Sequence, residues 1–260
     1  MGESPRLWPV FVAYVSAFAA IVVLSIVAAV IVRSLYPDVP ERVVLDGLPG
    51  LLAGGVASST ALLLTVLAVV RPFDPKRLRL APGWETGTTL AVMVVGMLAL
   101  GQALDSLTML AGLGQYGSMP LIRRALASAA GPELFAAVVV IGLMAGAAEE
   151  VFFRGYMQTA LRARWRAPAA VLATSVAFGV LHLEWLHAVL ALVLGLYLGF
   201  LTEVSGSALP AVVCHVVNNI VFTLLTALFG AVEAVGPNLV LLATGTAGFM
   251  GAVWWIRRGA

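Results

Sequence analysis

The chain has 260 residues, 61% of them hydrophobic and only 11% charged, against roughly 25% charged in soluble domains, and this balance is that of a polytopic membrane protein. The formal net charge of +2 is too small to recruit a nucleic acid, and the basic residues gather in short loops rather than along one face. The single cysteine, Cys214, excludes an internal disulfide and any multi-cysteine metal site. Lys76 is the only lysine among the 15 basic residues, a bias we associate with GC-rich bacterial genomes and hence with a bacterial plasma membrane.

A hydrocarbon core of about 30 Å takes roughly 20 apolar residues in a helix, and about eight runs of that size are present. The first, near Trp8 to Val32, is too long for a signal-peptide core and reads as a retained span. The second runs from about Pro49 to Val70 and the third from about Thr88 to Leu110. The prolines and charges of residues 71–79 mark a surface connection between them. Asp105, inside the third run, is expected to snorkel or to bond a neighbouring helix. A Gly- and Ser-rich segment with Arg123 and Arg124 leads to the fourth run, about Leu134 to Leu161, which is long enough to tilt or protrude. The fifth, about Pro168 to Trp185, and the sixth, about Leu186 to Val204, follow almost without a loop and form a tight hairpin. The seventh is about Ser207 to Gly230 and the eighth about Leu239 to Ile256. No internal repeat is visible. The expected architecture is all-α, one membrane domain over residues 1–260, with a polar core over about 134–230.

Loop charge orients the chain, because Lys and Arg are retained on the cytoplasmic side. One side receives Arg6, Arg71, Lys76, Arg77, Arg79, Arg162, Arg164, Arg166, Arg257 and Arg258; the other receives Arg33, Arg42, Arg123 and Arg124. Both termini are therefore expected to be cytoplasmic.

The ionisable and amide groups within the runs concentrate in three places. Glu149, Glu150 and Arg154 lie on the fourth, His182 on the fifth, and His215, Asn218 and Asn219 on the seventh. Charged groups at membrane depth cost a few kcal/mol and mark functional sites by default. Measured from the cytoplasmic helix ends at about 1.5 Å per residue, Glu149, His182 and His215 lie at comparable depths. One shared cavity in the cytoplasmic half is expected. At about 100° per residue Gly142, Gly146, Glu149 and Phe153 share a face, while Glu150 and Arg154 are turned aside and reach each other at i, i+4. Gly142-Leu-Met-Ala-Gly146 and Gly195-Leu-Tyr-Leu-Gly199 are small-xxx-small seams that admit close neighbours. Phe178 and His182 share a face with Ser175, and His215 projects with Asn219. His187, near a helix end without a matched partner, reads as structural.

These groups suffice for hydrolysis by water. Glu149 can act as general base, with His182 holding the water or relaying its proton. His215 and Asn219 can donate to the oxyanion of a tetrahedral intermediate. No serine or cysteine nucleophile has a matched base, and Cys214 points away from the His215 and Asn219 face.

Glu149-Glu150-x-x-x-Arg154, Phe178-x-x-x-His182 and His215-x-x-x-Asn219, in this order on three membrane helices, resemble the three motifs of the family of CAAX proteases and bacteriocin-processing enzymes, which includes the type II CAAX prenyl endopeptidase. The likeness spans about Ala145 to Phe222, including the Gly-rich helix and turn from Gly195 to Pro210. The first four runs resemble the family in hydropathy alone. The resemblance implies an eight-helix core and glutamate-dependent, metal-free peptide hydrolysis within the bilayer. It further implies Glu149 and His182 as the water-activating pair, His215 and Asn219 as the oxyanion site, and Glu150 and Arg154 as supporting residues. The implied partners are the lipid bilayer and a membrane-embedded or lipidated protein substrate.

Three other functions would use some of the same residues. A zinc-dependent protease would use two histidines and a glutamate as ligands, but no His-Glu-x-x-His helix is present and Asn219 is a poor ligand. A proton-coupled transporter would relay protons through Glu149, Asp105 and the histidines, but should show paired half-repeats. A non-catalytic scaffold would tolerate loss of Glu149.

Overall fold

The computed structural model describes residues 7–259. Arg6, one of the residues used to orient the chain, lies outside the described residues. The described chain is helical throughout its ordered elements: α1 (Trp8–Leu35), the short α2 (Glu41–Leu45), α3 (Leu48–Val69), α4 (Gly87–Leu110), α5 (Met119–Ala127), the long α6 (Gly131–Arg162), α7 (Ala167–Leu181), α8 (Trp185–Ser205), α9 (Leu209–Phe229) and α10 (Val235–Gly259). Among the described residues seven helices are long and apolar enough to cross a membrane, and α7 is a shorter apolar helix between two of them. The protein is thus an all-α, multi-pass membrane protein, with each of the eight expected apolar runs recovered as a helix.

The ends follow local chemistry. Prolines occupy the first turns of α1, α3, α5, α6, α7 and α9, where the missing N–H would have had no helical partner. The Thr86 side chain caps α4 by accepting from Thr89 N, and Gly206 closes α8 in the left-handed conformation at φ 71°. Two expectations shift. The fifth run stops at Leu181 rather than Trp185, because His182 turns out of the helix, Leu183 takes φ 60° and Glu184 caps α8 by accepting from Leu186 N and His187 N. The Gly- and Ser-rich segment around Arg123 and Arg124, to which no element was assigned, forms the amphipathic helix α5.

The packing is built on small residues. At Gly142 a Cβ would come within 2.5 Å of Ile220 Cγ1, and at Gly146 within 3.2 Å of Val216 N, so α9 lies directly on α6. At Gly195 a Cβ would lie 2.9 Å from Arg154 Nη2 and at Gly199 2.8 Å from Val171 Cγ1, which seats α8 against α6 and α7. One apolar cluster gathers Phe152, Phe153, Met157, Leu161 and Phe178. A second joins Met93, Met97, Tyr197, Leu201 and Cys214 between α4, α8, α9 and α10. The outward faces of α1, including Val15, Val23, Ile26 and Val30, are exposed apolar surface suited to lipid.

Candidate active site

Helix α6 departs from ideal geometry at its functional stretch. Two π-helical segments, Val138–Ala145 and Val151–Gln158, flank the α-helical turn Gly146–Glu150. Widened turns of this kind occur often at functional sites, and here they set how the Glu149-Glu150 pair is presented. Glu149 lines a cavity of about 400 Å³, whereas Glu150 is wholly buried beside it.

Glu150 and Arg154 form a 2.7 Å ion pair, both side chains fully excluded from solvent. Arg154 also donates to Gly195 O at 2.9 Å and lies over the Phe178 ring, 4.9 Å from its centroid. A buried cation is tolerable only when its charge is met; these contacts compensate the charge and engage both terminal nitrogens, while Nε is buried without a hydrogen-bond partner. Glu150 has a second partner that helical spacing did not reveal: His215 Nδ1 lies 2.8 Å from the same oxygen, Oε1. Because a carboxylate only accepts, the imidazole donates from Nδ1. The opposite edge of the ring, Nε2, is 3.7 Å from Glu149 Oε2. His215 is therefore held between the adjacent carboxylates.

His182 is fixed by a parallel device. Its Nδ1 donates to Phe178 O at 3.0 Å, leaving Nε2 for the cavity. Phe178 stacks edge-on against both histidines, at 5.0 Å from His182 and 5.8 Å from His215. Asn219 donates from Nδ2 to Ile141 O at 3.2 Å and accepts a long contact from Asn218 at 3.5 Å. Glu149, His182, His215 and Asn219 all line the one cavity, together with Asn218. Glu149 and His182 share that space without a hydrogen bond between them.

Two readings change. The cavity was expected in the half nearer the arginine-rich loops; instead it runs from Glu149 and His215 past Asp105, Thr108, His187 and Thr226 towards the opposite helix ends. His187 does have a partner, Ser118 Oγ at 2.9 Å from Nδ1, and it lines the cavity with its ring 6.0 Å from that of His182. Asp105 bonds a neighbouring helix as expected, pairing with Arg123 of α5 at 3.0 Å. Arg123, which no motif flagged, is brought to the cavity by α5, and Asn218, named above with His215 and Asn219, lines it from α9.

Among the described residues no group of three or more His, Cys, Asp or Glu side chains is arranged to hold a metal ion. Cys214 is buried in the second apolar cluster, away from the cavity.

A family model described as type II CAAX prenyl endopeptidase Rce1-like matches residues 131–221. That interval runs from the start of α6 into α9 and contains all three motifs. No curated protein and no solved structure matches the chain.

Proposed function

On the premise that residues 131–221 form an Rce1-like type II CAAX prenyl endopeptidase domain, we propose that this protein is a membrane endopeptidase that hydrolyses a peptide bond with a water activated by Glu149. The single observation that carries the reading is the convergence of Glu149, His182, His215 and Asn219 on one cavity within the helical bundle. The substrate is a membrane-associated protein or peptide, lipidated or bilayer-embedded.

The chemistry follows from the donors and acceptors in place. Water in the cavity gives a proton to the Glu149 carboxylate while its oxygen attacks the scissile carbonyl carbon. His182, whose Nδ1 proton is committed to Phe178 O, offers the Nε2 lone pair to the same water. The carbonyl oxygen gains negative charge and is met by the free N–H of Asn219 and by His215. Since His215 already spends its Nδ1 proton on Glu150, it donates from Nε2 only as the imidazolium. Collapse of the intermediate breaks the C–N bond, and the proton held by Glu149 passes to the leaving amine. The products are a new carboxyl terminus and a new amine, with Glu149 again ionised.

Glu150 and Arg154 act through His215 and are positioning residues. The test is mass-spectrometric comparison of membrane peptides from cells expressing the wild-type chain or Glu149→Ala. A substrate whose terminus shifts only with the wild-type chain is the expected result, and identical termini in both would remove the proposal.

A further inference from the structure

We infer that Asn218 is a substrate-binding residue, whose side-chain Oδ1 accepts the backbone N–H of the residue that supplies the scissile carbonyl. This role rests on the peptidase reading above and adds a specificity to it: the amino acid on the acyl side of the cut bond must carry an N–H.

Asn218 holds an acceptor without a donor. The residue is 6% exposed and lines the cavity, yet its Oδ1 is shut from solvent and receives no hydrogen bond. Five polar side-chain atoms among the described residues are in that condition, and Asn218 is the only one of their residues on the cavity wall. A buried amide oxygen without a partner is destabilising, so the site keeps open a hydrogen bond that a bound N–H completes.

The orientation of this amide is set by its neighbours. Ile141 O can only accept, so Asn219 turns Nδ2 towards it at 3.2 Å and leaves its Oδ1 on the other side. The Asn218 atom 3.5 Å from that oxygen is then the donor Nδ2, which makes the orphan atom Oδ1. A contact of 3.5 Å is weak, and the last side-chain torsion of asparagine is soft. A small turn of the amide therefore brings Oδ1 to the cavity with little resistance. Gly101 of α4, also on the cavity wall, keeps room beside it, since a Cβ there would stand 2.7 Å from Oδ1.

The place of Asn218 on α9 decides which N–H it meets. At about 100° per residue, Asn218 and Asn219 leave the helix about 60° and 40° to either side of His215. An extended residue sends its own N–H and C=O to the same side of the chain, which is how antiparallel neighbours exchange two hydrogen bonds. With the scissile C=O met by His215 and Asn219, the N–H of the same residue faces the Asn218 end of this row. Helix α9 then holds that residue as an adjoining strand would, with side chains in place of backbone.

The test screens the purified full chain in detergent against a quenched-fluorescence library of apolar peptides. The best-cleaved sequence is remade with oxygen replacing the amide nitrogen of the residue whose carbonyl is cut, which removes the donor without adding bulk. Mass spectrometry of the products confirms the bond broken. Wild type should cleave this ester analogue with kcat/KM at least about 10-fold below the amide, because the acceptor then stays unpaired. In Asn218→Ala, and in the near-isosteric Asn218→Leu, the amide should be cleaved more slowly and the amide-to-ester ratio should fall to within about 2-fold of unity. A merely structural role, acting through Asn219, would slow both substrates alike and preserve the ratio. Equal cleavage of the two substrates by wild type, or a wild-type ratio in the variants, overturns the inference and leaves the peptidase reading in place. A library from which wild type cleaves nothing overturns the peptidase reading and this inference with it.

Discussion

His215 and Glu150 are joined by a 2.8 Å hydrogen bond from Nδ1 to an oxygen that also receives Arg154 at 2.7 Å. This chain of contacts makes the two adjacent glutamates chemically different. Glu150 belongs to a closed, buried network, whereas Glu149 faces the cavity with 16% of its side chain exposed.

Replacing each glutamate by glutamine should therefore give opposite phenotypes. Glu149→Gln is expected to lower kcat by about 10²- to 10⁴-fold, the usual worth of a positioned general base, with an unfolding midpoint in detergent close to wild type. Glu150→Gln leaves Arg154 as an uncompensated buried charge, for which the cost is about 3–5 kcal/mol. Its midpoint should fall sharply. Paired thermal unfolding and activity measurements on the two variants check this.

Arg154→Lys keeps the charge but loses the planar fork that reaches Glu150 and Gly195 O together while lying over Phe178. A lower unfolding midpoint and a reduced kcat are expected, with KM changed less than kcat because no atom of Arg154 lines the cavity. Steady-state kinetics resolve the two parameters.

The α6 to α9 contact predicts a compensating pair. Gly142→Ala alone places a methyl 2.5 Å from Ile220 Cγ1, and overpacking of this kind costs about 1–3 kcal/mol. It should also displace His215 and Asn219, carried on the same helix as Ile220. Adding Ile220→Ala removes the clashing atom and should restore both stability and activity, measured as a double-mutant cycle.

The two histidines of the α7 to α8 hairpin should separate in the same assay. His182→Ala removes the ring whose Nε2 faces the site and is expected to reduce kcat by at least about 10²-fold. His187→Ala removes a ring held by Ser118 and should leave kcat within a few-fold of wild type.

Exhaustive chelation should leave activity unchanged in the purified protein. In the proposed reaction Glu149 takes the water proton directly, and among the described residues no group of three or more His, Cys, Asp or Glu side chains is arranged to hold a metal ion. Activity lost to chelator and restored by zinc would reinstate the metal-dependent alternative.

Hydropathy by itself determined the membrane class and the eight apolar helices, because lipid offers no partner for backbone groups and so makes every span a long apolar run. Fixed spacings determined which site residues share a helix face: Glu150 with Arg154, Phe178 with His182, and His215 with Asn219. What lay beyond the sequence came from contacts between helices and from departures from ideal period. The widened turns of α6 and the early end of α7 at Leu181 cannot be read from an assumed 100° step. The bond from His215 to Glu150 joins residues 65 positions apart, and the lining by α5 depends on a helix too short and polar to register as a span. Leu78 and Glu203 are likewise brought to the Phe152, Phe153 and Arg162 side of the site by long-range packing. Local pattern encodes the direction in which each side chain leaves its own helix, and only tertiary packing decides what it meets there.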